Sequence, residues 1–264
     1  MADLLVKEDR AREAAQKYAV IAQTYEVRED LRRATRVYRK ALDIAPMDVD
    51  MRQRLIDLLI KLRQYDQAIE QYISMADTYY QLAQIDQSIE QYNEALKYAP
   101  QGDPERHWEV NILHRIGDIH MQRVDWREAI RVYQRAKRIE PQDDRARVLL
   151  IDLNFKTAQR AEALKEVDDL IAFFMSVRMP GKLVSSMKAI TDMYPQEIAI
   201  HMRMAKIYLD MRKKREAIAE LDAVGELQLN EGKTEDAIRT IRAIIRLGPD
   251  DVEQYKRLLA QIKK

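Results

Sequence analysis

Few residues in this chain have side chains suited to chemistry. Its imidazoles are His107, His114, His120 and His201, and it has no cysteine. His114 and Asp118 stand four apart, which places them on one helix face within reach of a shared metal or ligand, and His107 lies one heptad earlier. Metal sites take three or four ligands, and no fourth candidate stands near these three. No Ser–His–Asp arrangement can be assembled, because no nucleophile in a strained turn accompanies the histidines. Paired carboxylates are frequent, but they sit on charged helix faces where their pKa values stay ordinary. Gly232-Lys233-Thr234 resembles the end of a phosphate-binding loop. That motif needs its first glycine at position 227, which is Leu227, and a preceding strand that the pattern lacks. The string aligns instead with a turn between helices, where glycine is routine. The expectation is a chain with no catalytic residues, no metal and no cofactor, which is not an enzyme.

Composition narrows the class further. The chain has 264 residues, 47% of them hydrophobic and 34% charged, with only six glycines, so it can bury apolar surface and favours helix. Its 45 basic and 44 acidic residues are interspersed and leave a formal net charge of +1. That balance argues against nucleic acid as a partner, since nucleic-acid binders carry a basic stripe. The absence of cysteine excludes a disulfide framework and thiolate metal sites. The opening residues MADLLVKEDRAREAA hold no apolar signal core, and no run approaches the length of a membrane span. A cytoplasmic location without membrane contact is the expectation.

The elements that must position these residues are marked by a ladder of prolines. Pro46, Pro100, Pro141, Pro195 and Pro249 follow one another at intervals of 54, 41, 54 and 54 residues. Each stands just past a helix-patterned segment, where a residue that cannot continue a helix belongs. Self-similarity at a fixed period is the mark of a repeat architecture. The stretch between Met47 and Pro100 predicts three helices, at about 49–62, 66–82 and 86–98. The first is apolar on nearly every side, and the middle one carries Ala68, Tyr72, Met75, Ala76 and Tyr79 on one stripe. The last repeats that stripe with Ser88, Ile89, Tyr92, Ala95 and Leu96. Shifted copies follow: Leu55, Ile56, Asp57 and Ala68 map onto Leu150, Ile151, Asp152 and Ala163. The organisation expected is one solenoid over 1–264. Its units are 1–46 (partial), 47–100, 101–141 (short, without the first helix), 142–195, 196–249 and a terminal helix at 250–264 that acts as a cap. Leu4-Leu5-Val6-Lys7 aligns with Leu58-Leu59-Ile60-Lys61, so the chain is expected to open inside the first helix of a unit.

These residues carry a resemblance. Residues 15–46 resemble a tetratricopeptide repeat through Tyr18, Ile21, Ala22, Tyr25, Ala34, Tyr38, Ala41 and Pro46. Residues 69–100 are similar through Tyr72, Met75, Ala76, Tyr79, Ser88, Tyr92, Ala95 and Pro100. Residues 110–141 match through Leu113, Ile116, Gly117, Ala129, Tyr133, Ala136 and Pro141. The interval departs from the family's 34 residues, because a third helix is inserted. The resemblance implies an all-α, right-handed superhelical solenoid of about fourteen stacked antiparallel helices. It also implies protein or peptide binding on an inner face. The carboxylate clamp of one subfamily is not carried over, because its positions hold Ala19 and Gln23.

The function expected is therefore a non-catalytic scaffold for protein or peptide partners. The alternative is a structural spacer or oligomerisation arm of a larger protein, self-associating through uncovered terminal repeats. Candidate partner contacts are Gln16, Gln23, Asp57, Lys61, Asn111, His114, Asp118 and Gln122. His120 falls at a position where tyrosines pack in other repeats and reads as a core substitute. The run from Leu170 to Met175 supplies a candidate apolar patch at Phe173 and Met175, beside Phe174, which aligns with core Tyr79.

Overall fold

Frequent Ala, Leu, Glu, Lys and Arg and scarce glycine favour helix, and helix is what forms. The computed structural model describes residues 10–262, and among them it contains fourteen α-helices and no strand. The expected helical start at Leu4-Leu5-Val6-Lys7 lies outside the described residues. The fold is an all-α helical solenoid, and its contacts divide it into two compact units, Met1–Ile139 and Glu140–Lys264.

The first unit holds α1 (Ala11–Val27), α2 (Leu31–Ile44), α3 (Val49–Lys61), α4 (Tyr65–Gln81), α5 (Ile85–Tyr98), α6 (Trp108–Gln122) and α7 (Trp126–Ile139). The second holds α8 (Asp144–Lys156), α9 (Arg160–Ser176), α10 (Pro180–Met193), α11 (Ile198–Asp210), α12 (Lys214–Asn230), α13 (Thr234–Leu247) and α14 (Val252–Ile262). Within each unit consecutive helices pack on one another. Helix length itself repeats: 13, 17 and 14 residues in α3–α5, again in α8–α10, and again in α11–α13. Where the ladder shortens to 41 residues, two single 3-10 turns, Ala99–Gln101 and Pro104–Arg106, stand between α5 and α6. Asp66 on α4 holds this link, accepting the Asp103 N–H at 2.8 Å and the Trp108 indole N–H at 2.7 Å. Those donors hold its carboxyl below the ordinary range, the Asp103 amide most.

The stripes read from periodicity are the ones that bury. Ala68, Tyr72, Met75 and Ala76 are buried on α4, and Ser88, Tyr92, Ala95 and Leu96 on α5. Small residues at Ala22, Ala34, Ala41 and Ala68 are fully covered, so adjacent helices approach closely there. The tyrosines of the second helix of each pair are tied to the first. Tyr38 donates to Glu26 at 2.5 Å, Tyr92 to Asp77, and Tyr133 to Asp118 at 2.9 Å. Buried hydroxyls need such acceptors, and burial followed by the neighbouring acid raises the pKa of Tyr38 and Tyr92.

Turns within the repeats close with a residue in the left-handed region that is seldom glycine. Glu29, Arg63, Ala83, Val124, Ala158, Arg178 and Arg212 all have φ between 55° and 62°, and only Gly232 fills the same role with glycine. The next amide reaches back five residues, as Gln64 does to the Leu59 carbonyl at 2.9 Å and Lys233 to Gln228 at 2.8 Å. This is the double-bonded helix stop, and helix packing imposes it on whatever residue stands there. Val124 carries the highest cost, being β-branched at φ 62° with its side chain 61% exposed. Val124→Gly is expected to stabilise the chain by about 1 kcal/mol. A urea midpoint that falls instead would show that the Val124 side chain has a packing role.

Candidate functional site

Six of the eight candidate contacts are surface side chains of the first unit. Gln16 and Gln23 are exposed on α1, Asp57 and Lys61 on α3, and Asn111 and Gln122 on α6. Asp57 accepts the Gln53 amide at 2.9 Å, and Asn111 donates to the Arg106 carbonyl at 2.8 Å. Gln122 accepts the Tyr80 hydroxyl. The other two are taken up inside the α6–α7 pair. His114 is only 8% exposed with its ring 5.8 Å from that of Tyr133, and Asp118 accepts the Tyr133 hydroxyl. Alanine at either would therefore disturb the helix pair as well as any contact. His120 is half-buried with Nδ1 3.7 Å from Asp125 Oδ2. Among the described residues no three acids or histidines converge on a metal position.

Equivalent positions do not share one environment. Asp152, the counterpart of Asp57, is buried; Tyr194 donates to it at 2.6 Å and Lys156 at 2.7 Å. Burial first, then that acid, raises the Tyr194 pKa. In the second unit Phe173 is half-buried, edge-on to Phe174 at 5.4 Å, with the Arg147 guanidinium 4.2 Å from its ring centroid. Met175 is exposed. Gly232 sits at the α12–α13 turn with φ 72° and ends a helix, with Lys233 as the following cap.

A recurrent polar latch escaped the periodic reading. The residue six beyond three of the ladder prolines is buried and basic: Arg52, Arg147 and His201. Each bonds the carbonyl of its own proline, Arg52 to Pro46, Arg147 to Pro141 at 2.7 Å, and His201 to Pro195 at 3.0 Å. A carbonyl left over at a helix end is thereby satisfied and the next helix is fixed against it. The outer side of the latch also repeats. Arg52 donates to Gln71 at 2.8 Å, and His201 Nδ1 lies 2.7 Å from Glu220. The signal lay in the sequence as a basic residue at a fixed offset from proline.

His201 makes one latch sensitive to pH. Its bond to Glu220, and secondarily the Pro195 carbonyl, raise its pKa against the opposing effect of burial. A raised folded value means that the protonated latch contributes its full stability below the ordinary histidine pKa of about 6.5. That contribution is lost as pH rises through the folded value. The urea midpoint of the chain, followed by far-UV circular dichroism, is expected to fall over this window. His201→Arg places the residue found at 52 and 147, and its slope with pH should be smaller. An equal slope in both proteins would remove His201 as the cause.

Comparison with known proteins gives two of these helix pairs a family. The tetratricopeptide repeat family matches residues 72–101 and, separately, residues 112–146. No match is found among curated proteins. Solved structures that resemble the chain include YrrB, a tetratricopeptide repeat protein, at 15% identity and a TM-score of 0.33, covering 86% of this chain and 94% of that one. MamA resembles it at 14% identity and a TM-score of 0.34, with 81% and 97% covered. The TPR2AB domain of yeast Sti1 does so at 14% and 0.29, with 90% and 99% covered. Likeness at this level says nothing about this chain's partners. No helix among the described residues is long and apolar enough to cross a membrane. With the family matched on α4–α5 and α6–α7, and with their tyrosine–acid and small-residue packing in place, the chain carries tetratricopeptide repeats at these two helix pairs.

Proposed function

We propose that the chain is a non-catalytic scaffold that binds a protein or peptide segment on the exposed polar side chains of α1, α3 and α6. One observation carries this reading. Gln16, Gln23, Lys61 and Asn111 are exposed outside a core that Ala, Tyr and Leu already close, so burial does not account for these polar groups, although Asn111 also donates to the Arg106 carbonyl. Rigid stacked helices then act by presenting a surface, and recognition rests on hydrogen bonds and a few buried anchors supplied by the partner.

The test uses peptides selected on the full chain from a random display library. Gln23→Ala, Lys61→Ala and Asn111→Ala together are expected to weaken a selected peptide at least about tenfold while the thermal transition stays in place. His114 and Asp118 are left intact because they support Tyr133. Unchanged affinity of every selected peptide in the triple variant would reject this surface, and a failure to select any peptide would reject the scaffold reading itself.

A further inference from the structure

The second unit carries a different surface at one end of its helices. The chain reverses at each turn, and consecutive helices pack on one another, so the α9–α10 and α11–α12 turns lie at the same end. The α13–α14 turn lies there too, since it lines one cleft together with the start of α12. Met175, Val177 and Met179, which are 49%, 42% and 42% exposed, stand at the first of these turns, with Leu209 exposed near the second. Phe173 and Met211, in the same stretches of chain, pack against the core below.

Positive charge surrounds these side chains. Arg178 and Arg212 hold the left-handed positions of the two turns, and Lys182 and Lys213 follow them. All four are exposed and form no ion pair with another described residue. Arg212-Lys213-Lys214-Arg215 places four cations in succession where the repeat frame has Arg63-Gln64-Tyr65-Asp66 and Ala158-Gln159-Arg160-Ala161. Lys214 donates to the Gly248 carbonyl and Arg215 pairs with Asp250 at 3.3 Å, but Arg212 and Lys213 have no such use, because the same turn closes in the other copies without that charge, and neighbouring like charges repel. Beside the cations opens the cleft, about 700 Å³ in volume, with Ile218, Ala219 and Tyr255 among its walls; Glu216, Asp222, Asp250 and Asp251 also line it, so it suits apolar side chains while the excess positive charge lies at the turns. That volume is in the range of side-chain and ligand recesses.

We propose that this end docks an acidic peptide segment. Its apolar side chains would rest on Met175, Val177 and Met179, and its carboxylates would face Arg178, Arg212 and Lys213. Methionine suits such a surface because its unbranched side chain adapts to varied shapes. Charge complementarity selects the partner's sign and speeds its approach. A peptide fits better than an anionic bilayer. A recess admits side chains that a flat surface does not offer. The inference rests on the scaffold reading but concerns a separate unit from the α1, α3 and α6 surface, so the two fail separately.

The experiment selects peptides on the full chain from a random display library and retests them on Arg178→Glu/Arg212→Glu/Lys213→Glu and on Met175→Ser/Met179→Ser. Every substituted side chain is exposed, and thermal melts confirm that the variants fold. The expected outcome has, beside the peptides weakened by the α1, α3 and α6 substitutions, a second group of selected sequences that interleave Asp or Glu with apolar residues. Their binding weakens about tenfold or more in both variants, weakens with added salt, and is unaffected by Gln23→Ala/Lys61→Ala/Asn111→Ala. A selection with no acidic group would overturn the proposal, as would acidic peptides whose binding is indifferent to the charge reversals. If every selected peptide is lost only with the α1, α3 and α6 substitutions, the proposal is overturned and the scaffold reading stands. Binding of phosphatidylserine vesicles without acidic peptides would replace it with a membrane surface.

Discussion

Gly117→Ala is expected to destabilise the first unit by about 2–3 kcal/mol, although alanine is the better helix former. A Cβ at Gly117 would stand 2.5 Å from Tyr133 Cζ, 2.8 Å from its hydroxyl and 2.9 Å from Cε1. The Tyr133 ring is fully buried and its hydroxyl donates to Asp118 at 2.9 Å, so it cannot swing aside. The α6–α7 pair must then separate or the hydrogen bond must break. Gly225→Ala provides the control of opposite sign. Its new Cβ meets only Thr240 Cγ2, at 3.9 Å, so it should gain about 0.5–1 kcal/mol from helix propensity. Both tryptophans, Trp108 and Trp126, lie in the first unit, so their fluorescence follows the Gly117→Ala transition in urea. Far-UV circular dichroism reads the Gly225 variant. A Gly117→Ala protein as stable as the parent would show that α6 and α7 do not approach as closely as described.

The second large effect is at Phe174. Its side chain is fully buried among Ile151, Val167, Leu170, Leu183, Met187 and Ile207. Phe174→Ala removes a ring from a site ringed by several helices that cannot all close in, so a loss of about 3–5 kcal/mol is expected. Met175→Ala, one residue on and exposed, should change stability by less than about 0.5 kcal/mol. The contrast between neighbours separates core from surface within the run Leu170–Met175. Equal losses at both positions would mean that Met175 is covered as well.

Much of the fold could be read in advance because packing and periodicity express the same physics. The three segments expected at about 49–62, 66–82 and 86–98 form as α3, α4 and α5 within one residue at each end. Phe174 was placed in the core by its alignment with Tyr79. What escaped the reading is polar and local. His114 and Asp118 looked like surface groups because their types are hydrophilic. A tight helix pair instead turns one toward the Tyr133 ring and uses the other as its acceptor. An apolar frame treats a basic residue as solvated and so hides the arginine and histidine latches, whereas a proline carbonyl at a helix end demands a donor. The left-handed turns carried no glycine signal, since residues such as Ala83 and Arg212 accept that conformation under the pull of the packed pair.

The unequal pair Asp57 and Asp152 shows the limit of carrying a role along the ladder. The same residue type at the same offset is a surface acid in one copy and a buried acceptor in the other. Candidate contacts therefore have to be judged copy by copy. By that measure Gln16, Gln23, Lys61 and Asn111 are the better candidates for the first unit, and His114 and Asp118 belong to its framework.

The most direct test of the scaffold account places a photo-crosslinking residue at single positions of the full chain and exposes it to a peptide selected on that chain. Substitution at Gln23 or Asn111 is expected to capture the peptide, while substitution at Lys40 on α2 or Arg131 on α7, both also exposed, captures none. Capture from Lys40 and Arg131 but not from Gln23 or Asn111 would contradict the account.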